Sequence, residues 1–312
     1  MFEILSIVAP VFGLIALGYL FGWRGWLSST AEQGVSEFAF HLAIPALLFK
    51  TIITADFQNL SVAGVWLSFY GAVVVTYAAS VLGTKFLLRR PSEDAASIAM
   101  SSMFGNAVML GIPISLTTFG PPAAAPLALV LSIHAPTLWL IATLHANIAS
   151  RDAGAGADDI VATLFRDLSR NPIIVGIVLG GLWRFSGLQM PDVGLKVLGL
   201  LAQAGVPAAL VALGLSLVRF EIRGQVPTLA MIVVLKLLLM PLVAITLASL
   251  VFELDRLSLG VVAILAAVPT GVNAYIFANR TGGAINSASG AVALGTVISA
   301  LTVSILLVFI KP

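Results

Sequence analysis

Cysteine is absent from the 312 residues of this sequence. Its absence excludes disulfide bonds, thiolate metal sites and a cysteine nucleophile. Charge is also scarce, because only 10% of the residues are charged, whereas soluble proteins carry about 25%. Apolar side chains make up 59% of the chain, and the charges fall in short clusters between long apolar runs. We therefore expect an integral membrane protein.

The sequence also lacks the short motifs that carry much enzymatic and nucleotide chemistry. It contains no GxSxG, HExxH or P-loop pattern and no paired carboxylates inside its apolar segments. We therefore predict that the protein is not an enzyme, that it needs no cofactor or metal, and that it is not by itself an ATP-driven pump. No basic stretch with interleaved aromatic residues indicates a nucleic-acid partner.

Ten apolar segments are long enough to cross a bilayer as helices. They lie at 4–22, 34–54, 61–88, 94–119, 121–149, 171–187, 194–218, 226–251, 256–279 and 284–310. Short alternating strands are not visible, so the predicted fold class is an all-α polytopic membrane protein with ten transmembrane helices. The first segment has neither a basic start nor a cleavage site, which favours a retained helix over a signal peptide.

Lysine and arginine are distributed unevenly between the two ends of these spans. The loops after the odd-numbered spans hold ten of them, at Arg24, Lys85, Arg89, Arg90, Arg151, Arg166, Arg170, Arg219, Arg223 and Arg280. The opposite side holds five, at Lys50, Arg184, Lys196, Arg256 and Lys311. The positive-inside rule therefore predicts a protein of the inner (plasma) membrane with both termini outside, in the periplasm.

The order of the spans suggests two repeats of five helices, because an odd number of helices places the second copy in the inverted orientation. We predict a first repeat at 1–150, a cytoplasmic linker at 151–170 and a second repeat at 171–312. AIPALLF in span two and GVPAALV in span seven occupy corresponding places in the two repeats. One face of the linker is apolar, which predicts an amphipathic helix at the interface; its residues are Ile160, Leu164, Phe165 and Leu168.

Spans four and nine each contain glycine, asparagine and proline in mid-membrane. The first reads FGNAVMLGIPIS over 104–115, and the second reads AAVPTGVNAYIFAN over 266–279. Proline removes a backbone donor and glycine relaxes the backbone, so we predict that both helices break there. Broken helices leave polar backbone ends that are tolerated in lipid only around an enclosed site. A simple proline kink with asparagine as interhelical glue is the alternative reading.

Two ionisable side chains inside the spans are candidates for a functional role. Lys236 lies in span eight, and no Asp or Glu lies in the middle of any span. Its predicted partners are the carbonyl ends of the broken helices or a carboxylate of the substrate, and it could also carry a proton. His134 in span five could bind substrate, relay a proton or be a hydrogen-bonded structural residue.

At these residues the chain resembles the auxin efflux carrier family, which includes plant PIN-type auxin carriers and bacterial malonate-type carriers within the bile/arsenite/riboflavin transporter superfamily. Gly105-Asn106 and Leu110-Gly111-Ile112-Pro113 are similar to the Pro-Asn and Met-Gly-Ile-Pro of the fourth helix in that family. Val268-Pro269-Thr270-Gly271 and Tyr275-Ile276-Phe277-Ala278 are similar to the Leu-Pro-Gln-Gly and Phe-Val-Phe-Ala of its ninth helix.

The resemblance implies two inverted five-helix repeats whose helices four and nine are broken and cross, a crossed-helix fold like that of NhaA and the bile-acid transporters. The scaffold helices would be 4–22, 34–54 and 171–218, and they would form a homodimer. The transport helices would be 61–149 and 226–310, and they would move as an elevator. Gly105 stands in place of the family's crossing proline, so this break would depend on glycine flexibility.

These features together predict a secondary-active transporter or uniporter for a small organic anion, either an auxin-like monocarboxylate or a malonate-like dicarboxylate. The predicted substrate-binding residues are Gly105, Asn106, Pro113, His134, Pro269, Thr270, Gly271 and Asn273. Lys236 would balance charge or couple transport. The predicted partners are the anion, the lipid bilayer and a second copy of the chain. A proton-coupled cation antiporter of the same fold is the alternative, and a membrane sensor without transport is a third reading.

Overall fold

The computed structural model describes residues 2–54, 60–150, 166, 169–222 and 225–310. Over these ranges the chain is helical and forms no β-strand, which confirms the predicted all-α class. The predicted amphipathic linker at 151–170 lies outside the described residues, apart from positions 166, 169 and 170.

Fourteen α-helices of very different length follow one another along the described chain. They are α1 (Phe2–Trp23), α2 (Ser29–Phe38), α3 (Ile44–Thr54), α4 (Val62–Leu82), α5 (Ser92–Met103), α6 (Ile112–Phe119), α7 (Ala124–Ser150), α8 (Pro172–Phe185), α9 (Asp192–Leu217), α10 (Val226–Val234), α11 (Met240–Thr246), α12 (Arg256–Ala267), α13 (Val272–Thr281) and α14 (Ile285–Ile310). Short π-helical turns join several of them, at Ala39–Ala43, Gly83–Leu87, Ala107–Gly111, Leu235–Leu239 and Leu247–Val251, and a 3₁₀ turn lies at Pro121–Ala123.

Polar side chains and one glycine mark the ends of several helices. Ser28, Ser61 and Asn171 each accept a hydrogen bond from a backbone N–H in the first turn of α2, α4 and α8. Asp255 accepts two such bonds at the start of α12, each of 3.0 Å. Gly282 ends α13 with a φ of 78°, the left-handed conformation that glycine adopts without strain. The capping side chains thus bind backbone N–H groups that would otherwise be unpaired at the helix ends.

Seven helical segments of the described chain are long and apolar enough to cross a membrane, at 6–23, 29–54, 62–87, 121–148, 192–217, 226–251 and 285–310. The other three predicted spans are shorter as helices. Span six is α8, whose 14 residues extend only about 21 Å. Spans four and nine are each divided into two helices. The ten-helix inverted repeat therefore stays a prediction.

The chain divides into two compact units. The first unit comprises Met1–Leu60, Val108–Ser132 and Asp167–Arg219. Within it, α9 packs against α1, α2 and α3, and α3 also packs against α8. At Gly214 of α9 the helices α1 and α9 approach so closely that an added Cβ would overlap the carbonyl oxygen of Ile15. Glycine is therefore required at this contact.

The second unit comprises Ser61–Ala107, Ile133–Arg166 and Phe220–Pro312. Its core includes α12, in which every residue from Val261 to Ala267 is buried. The hydroxyl of Ser80 pairs with that of Ser102 at 3.0 Å, and the hydroxyl of Ser97 pairs with that of Thr281 at 2.9 Å. The first bond joins α5 to α4, and the second joins α5 to α13. Helix α5 packs against both of these helices.

The two units do not coincide with the two predicted repeats. Both units contain parts of 1–150 and parts of 171–312. The division into scaffold and transport helices also stays a prediction.

Candidate functional site

Two interruptions of helical structure form the centre of the candidate site, and both lie in the second unit. Helix α5 ends at Met103, and Phe104 follows it in an extended conformation with φ −83° and ψ 99°. Helix α12 ends at Ala267, and Val268 is extended with φ −63° and ψ 147°. The residue before a proline is driven out of the helical region, so Pro269 explains the end of α12.

The two interruptions bind each other through their backbones. The N–H of Asn106 donates to the carbonyl of Pro269 at 2.8 Å, and the N–H of Gly271 donates to the carbonyl of Phe104 at 2.9 Å. Gly105 and Thr270 thereby form an isolated antiparallel bridge. We call residues 104–106 and 268–271 the crossing. Its hydrogen bonds satisfy backbone groups that a broken helix would leave unpaired in a membrane.

A side-chain hydrogen bond strengthens the crossing. The hydroxyl of Thr270 donates to the backbone carbonyl of Ser101 at 2.8 Å, and Thr270 is almost completely buried. Ser101 was not among the residues expected from the sequence, because it contributes a backbone carbonyl from the last turn of α5. No residue pattern distinguishes such a carbonyl from its neighbours.

The two glycines of the crossing, Gly105 and Gly271, lie in tightly packed surroundings. A Cβ at Gly271 would lie 3.1 Å from the carbonyl oxygen of Gly105 and 3.2 Å from the nitrogen of Asn106. A Cβ at Gly105 would lie 3.0 Å from a methyl group of Val268. Gly105 is not among the residues with a positive φ. The structure therefore accounts for this glycine by lack of space, whereas the sequence suggested backbone flexibility.

Lys236 is fully buried beside the crossing. Its ammonium donates to the carbonyl of Ala266 at 2.6 Å and contacts the sulfur of Met240 at 3.2 Å. Ala266 is the last residue but one of α12, so this carbonyl belongs to the negative end of the broken helix. Of the two kinds of partner predicted for Lys236, the structure shows the helix carbonyl. The i,i+4 spacing of Lys236 and Met240 was the available signal for the sulfur contact.

His134 also lies beside the crossing and is 3% exposed. Its ring packs between Phe69 and Phe104, with centroid distances of 5.5 Å and 5.0 Å. The backbone of Gly105 and the ammonium of Lys236 are both near enough to interact with it electrostatically. The packing positions the imidazole firmly, while its role in binding substrate stays a prediction.

Most of the other predicted site residues are found at the crossing or next to it. Gly105, Asn106, Pro269, Thr270 and Gly271 are all buried in the crossing itself. Asn273 is half-buried in the first turn of α13, directly after the crossing.

Pro113 is the exception, because it belongs to the first unit. It is buried in the first turn of α6.

His145 forms a pair that the sequence did not predict. The hydroxyl of Tyr77 and Nδ1 of His145 share a hydrogen bond of 2.5 Å in the second unit.

Comparison with known proteins places the chain among membrane transporters. A family model described as membrane transport protein matches residues 3–307. A protein of Rhizobium meliloti named "Putative malonate transporter" is 28% identical over 312 residues, which cover 100% of this chain and 97% of that protein. A protein of Methanothermobacter thermautotrophicus named "Uncharacterized transporter" is 23% identical over 301 residues, which cover 94% of this chain and 93% of that protein.

Another match covers only part of a longer protein. The mouse protein named "Lysosomal cholesterol signaling protein" is 25% identical over 247 residues, or 74% of this chain but only 28% of the mouse protein. The match of the family model over nearly the whole chain confirms the family that the motifs predicted. The chain is a multi-pass membrane protein that belongs to the membrane transport protein family, also known as the auxin efflux carrier family.

Proposed function

We propose that this protein is a secondary-active transporter or uniporter that moves a small organic anion, either a malonate-like dicarboxylate or an auxin-like monocarboxylate. The observation that carries the proposal is the crossing, where two interrupted helices bind each other within one compact unit. A membrane protein tolerates non-helical backbone at depth where it lines a site, and transporters of other families bind substrates at such breaks.

The chemistry around the crossing suits an anion better than a metal cation. Helix α13 begins directly after Gly271, which has no side chain to cap it, so the positive end of α13 faces the crossing region. Asn106 and Asn273 carry amide groups that can donate hydrogen bonds to a carboxylate. Among the described residues, no group of three or more His, Asp or Glu side chains could hold a metal ion.

The names of two relatives guide the first experiments. The Rhizobium meliloti protein is named for malonate, and it matches this chain over its whole length. Malonate is therefore the first anion to test. The mouse protein is named for signalling, so a sensor without transport is the reading that a flux measurement has to exclude.

We further propose that the crossing is exposed to each side of the membrane in turn by an elevator movement. The binding groups would travel as part of a rigid body, so their backbone hydrogen bonds would persist through the cycle. The protein would act as a homodimer in the inner membrane with both termini in the periplasm. In its protonated form Lys236 would lower the cost of bringing an anion into the membrane.

Uptake by proteoliposomes of known orientation tests the proposal. Radiolabelled malonate and indole-3-acetate are supplied with and without an imposed membrane potential, and the wild type is compared with Asn106→Ala. Loss of hydrogen bonds to a charged substrate costs about 1.5–3 kcal/mol, so we expect flux at low substrate concentration to fall roughly tenfold to a hundredfold.

Asn279→Ala is the matched control, because Asn279 is an exposed asparagine farther along α13. It should transport like the wild type. Equal flux in the Asn106→Ala and wild-type proteins would show that the crossing is not the site. Movement of protons or Na⁺ without flux of either anion would support the alternative of a proton-coupled cation antiporter, which His134 and Lys236 make chemically conceivable as buried titratable groups.

A further inference from the structure

We propose that Lys236 is a positioning residue whose ammonium serves as a built-in cation at the carbonyl end of α12. It would hold the crossing together and take the place that an inorganic cation could otherwise fill. This inference deepens the transport function proposed above and depends on it only for its effects on flux. Its effects on stability can be measured without any substrate.

The need for a cation follows from where α12 ends. The last carbonyls of a helix have no partner within the helix and carry the negative end of its dipole. Helix α12 ends at the crossing inside the buried core of the second unit, where every residue from Val261 to Thr270 is buried. These carbonyls are enclosed by protein, so an unpartnered carbonyl would be costly.

Lys236 meets this need directly. Its ammonium donates a hydrogen bond of 2.6 Å to the carbonyl of Ala266, and the ion–dipole contact stabilises the end of the helix. The sulfur of Met240 accepts a second contact at 3.2 Å. The side chain is 0% exposed, so protein encloses the ammonium at the helix end.

Gly105 is the steric counterpart of Lys236. A Cβ at position 105 would lie 3.1 Å from both Cε and Nζ of the lysine. The glycine therefore leaves room beside the crossing for the ammonium of Lys236. Gly105 and Lys236 thus act as a pair, in which one residue provides the space and the other provides the charge.

Thermal unfolding of the empty protein in detergent is the first test. Lys236→Met keeps the length of the side chain but removes the ammonium, and we expect a melting temperature about 5 °C below that of the wild type. Lys50→Met is the matched control, because Lys50 is half-buried within α3 in the first unit. It should leave the melting temperature unchanged.

A double-mutant cycle tests the pairing. Gly105→Ala should lower the melting temperature when Lys236 is present and should lower it less in the Lys236→Ala background, because the truncated side chain no longer crowds the new methyl group. Additive shifts would overturn the steric pairing. The cycle also remains informative if one of the variants is too unstable to transport.

Chemical rescue separates the charge from mere packing. In Lys236→Ala, n-propylammonium supplies the missing atoms, and we expect it to restore both the melting temperature and the maximal rate of flux. Propan-1-ol, which can donate a hydrogen bond but has no charge, should restore little. Equal rescue by the alcohol would overturn the role of the ammonium as a cation.

Flux measurements distinguish a positioning role of Lys236 from a role as a substrate ligand and from a role as a proton carrier. A positioning role predicts that Lys236→Met lowers the maximal rate with little change in KM, and that wild-type flux is unchanged when choline replaces Na⁺. A raised KM with an unchanged melting temperature would make Lys236 a substrate ligand and overturn the proposal. Loss of proton-driven flux alone would make Lys236 a proton carrier and overturn it as well. If the wild type moves no anion but Lys236→Met is destabilised, only the proposed function fails.

Discussion

The most direct test of the crossing is to add one methyl group at Gly271. The Cβ of Gly271→Ala would lie 3.1 Å from the carbonyl oxygen of Gly105 and 3.2 Å from the nitrogen of Asn106. Both are backbone atoms, so neither can move aside by rotating a side chain. The two segments of the crossing must therefore shift apart by a few tenths of an ångström, which strains or breaks their hydrogen bonds of 2.8 Å and 2.9 Å.

The cost of this change has two parts. Overpacking in a close-packed interior costs about 1–3 kcal/mol, and loss of a buried hydrogen bond costs about 1–3 kcal/mol more. We therefore expect a loss of stability of about 2–6 kcal/mol, because the two contributions add. At about 2–4 °C for each kcal/mol, the melting temperature should fall by about 4–24 °C. Anion uptake should fall with it, because the amide groups beside the crossing would be displaced.

Gly181→Ala is the matched control for this experiment. Gly181 lies within α8, and an added Cβ there would have no heavy atom within 4 Å. Alanine is the better helix former, so this variant should be more stable than the wild type by about 0.5–1 kcal/mol. The two glycine variants should therefore shift the melting temperature in opposite directions. Wild-type stability of Gly271→Ala would refute the close approach of the two segments of the crossing.

Two further substitutions test individual contacts. Thr270→Val removes the hydroxyl that donates to the carbonyl of Ser101 while keeping the shape of the side chain; we expect a loss of about 1–2 kcal/mol in thermal unfolding, whereas Thr270→Ser should retain most of the stability. Gly282→Ala places a Cβ at a φ of 78° and should cost about 1 kcal/mol; Gly282→Asn should cost less, since asparagine tolerates this conformation. Equal stability of Gly282→Ala and the wild type would show that the end of α13 adjusts freely.

The site was predictable from the sequence where local rules apply. Pro269 forces Val268 out of the helical region, so the end of α12 could be predicted from a dipeptide. Lys236 has no acidic partner in mid-span, so the sequence predicted another acceptor for its ammonium. The two candidates were a carbonyl at a helix end and a carboxylate of the substrate. The family was predictable because its motifs stand close together around the same two breaks, and the family comparison confirms it.

Other parts of the site depend on contacts that no local pattern reveals. The acceptor for Thr270 is a backbone carbonyl 169 positions away, at Ser101. Span six, which is apolar over 171–187, forms an α-helix of only 14 residues. The space required at Gly105 comes from Lys236 and Val268, which belong to other segments of the chain.

The sequence by itself determined that this protein is a helical membrane protein and where its helices break. Proline and glycine act on the local backbone, and hydrophobicity decides whether a segment lies in the membrane. These effects can be predicted without knowing which other helices a segment contacts. The tertiary structure alone decided that the breaks bind each other, that the ammonium of Lys236 satisfies the end of α12, and that Gly105 and Gly271 provide the space for the crossing. These features depend on distances of about 3 Å between segments far apart in the chain, and only the packing of the helices sets such distances.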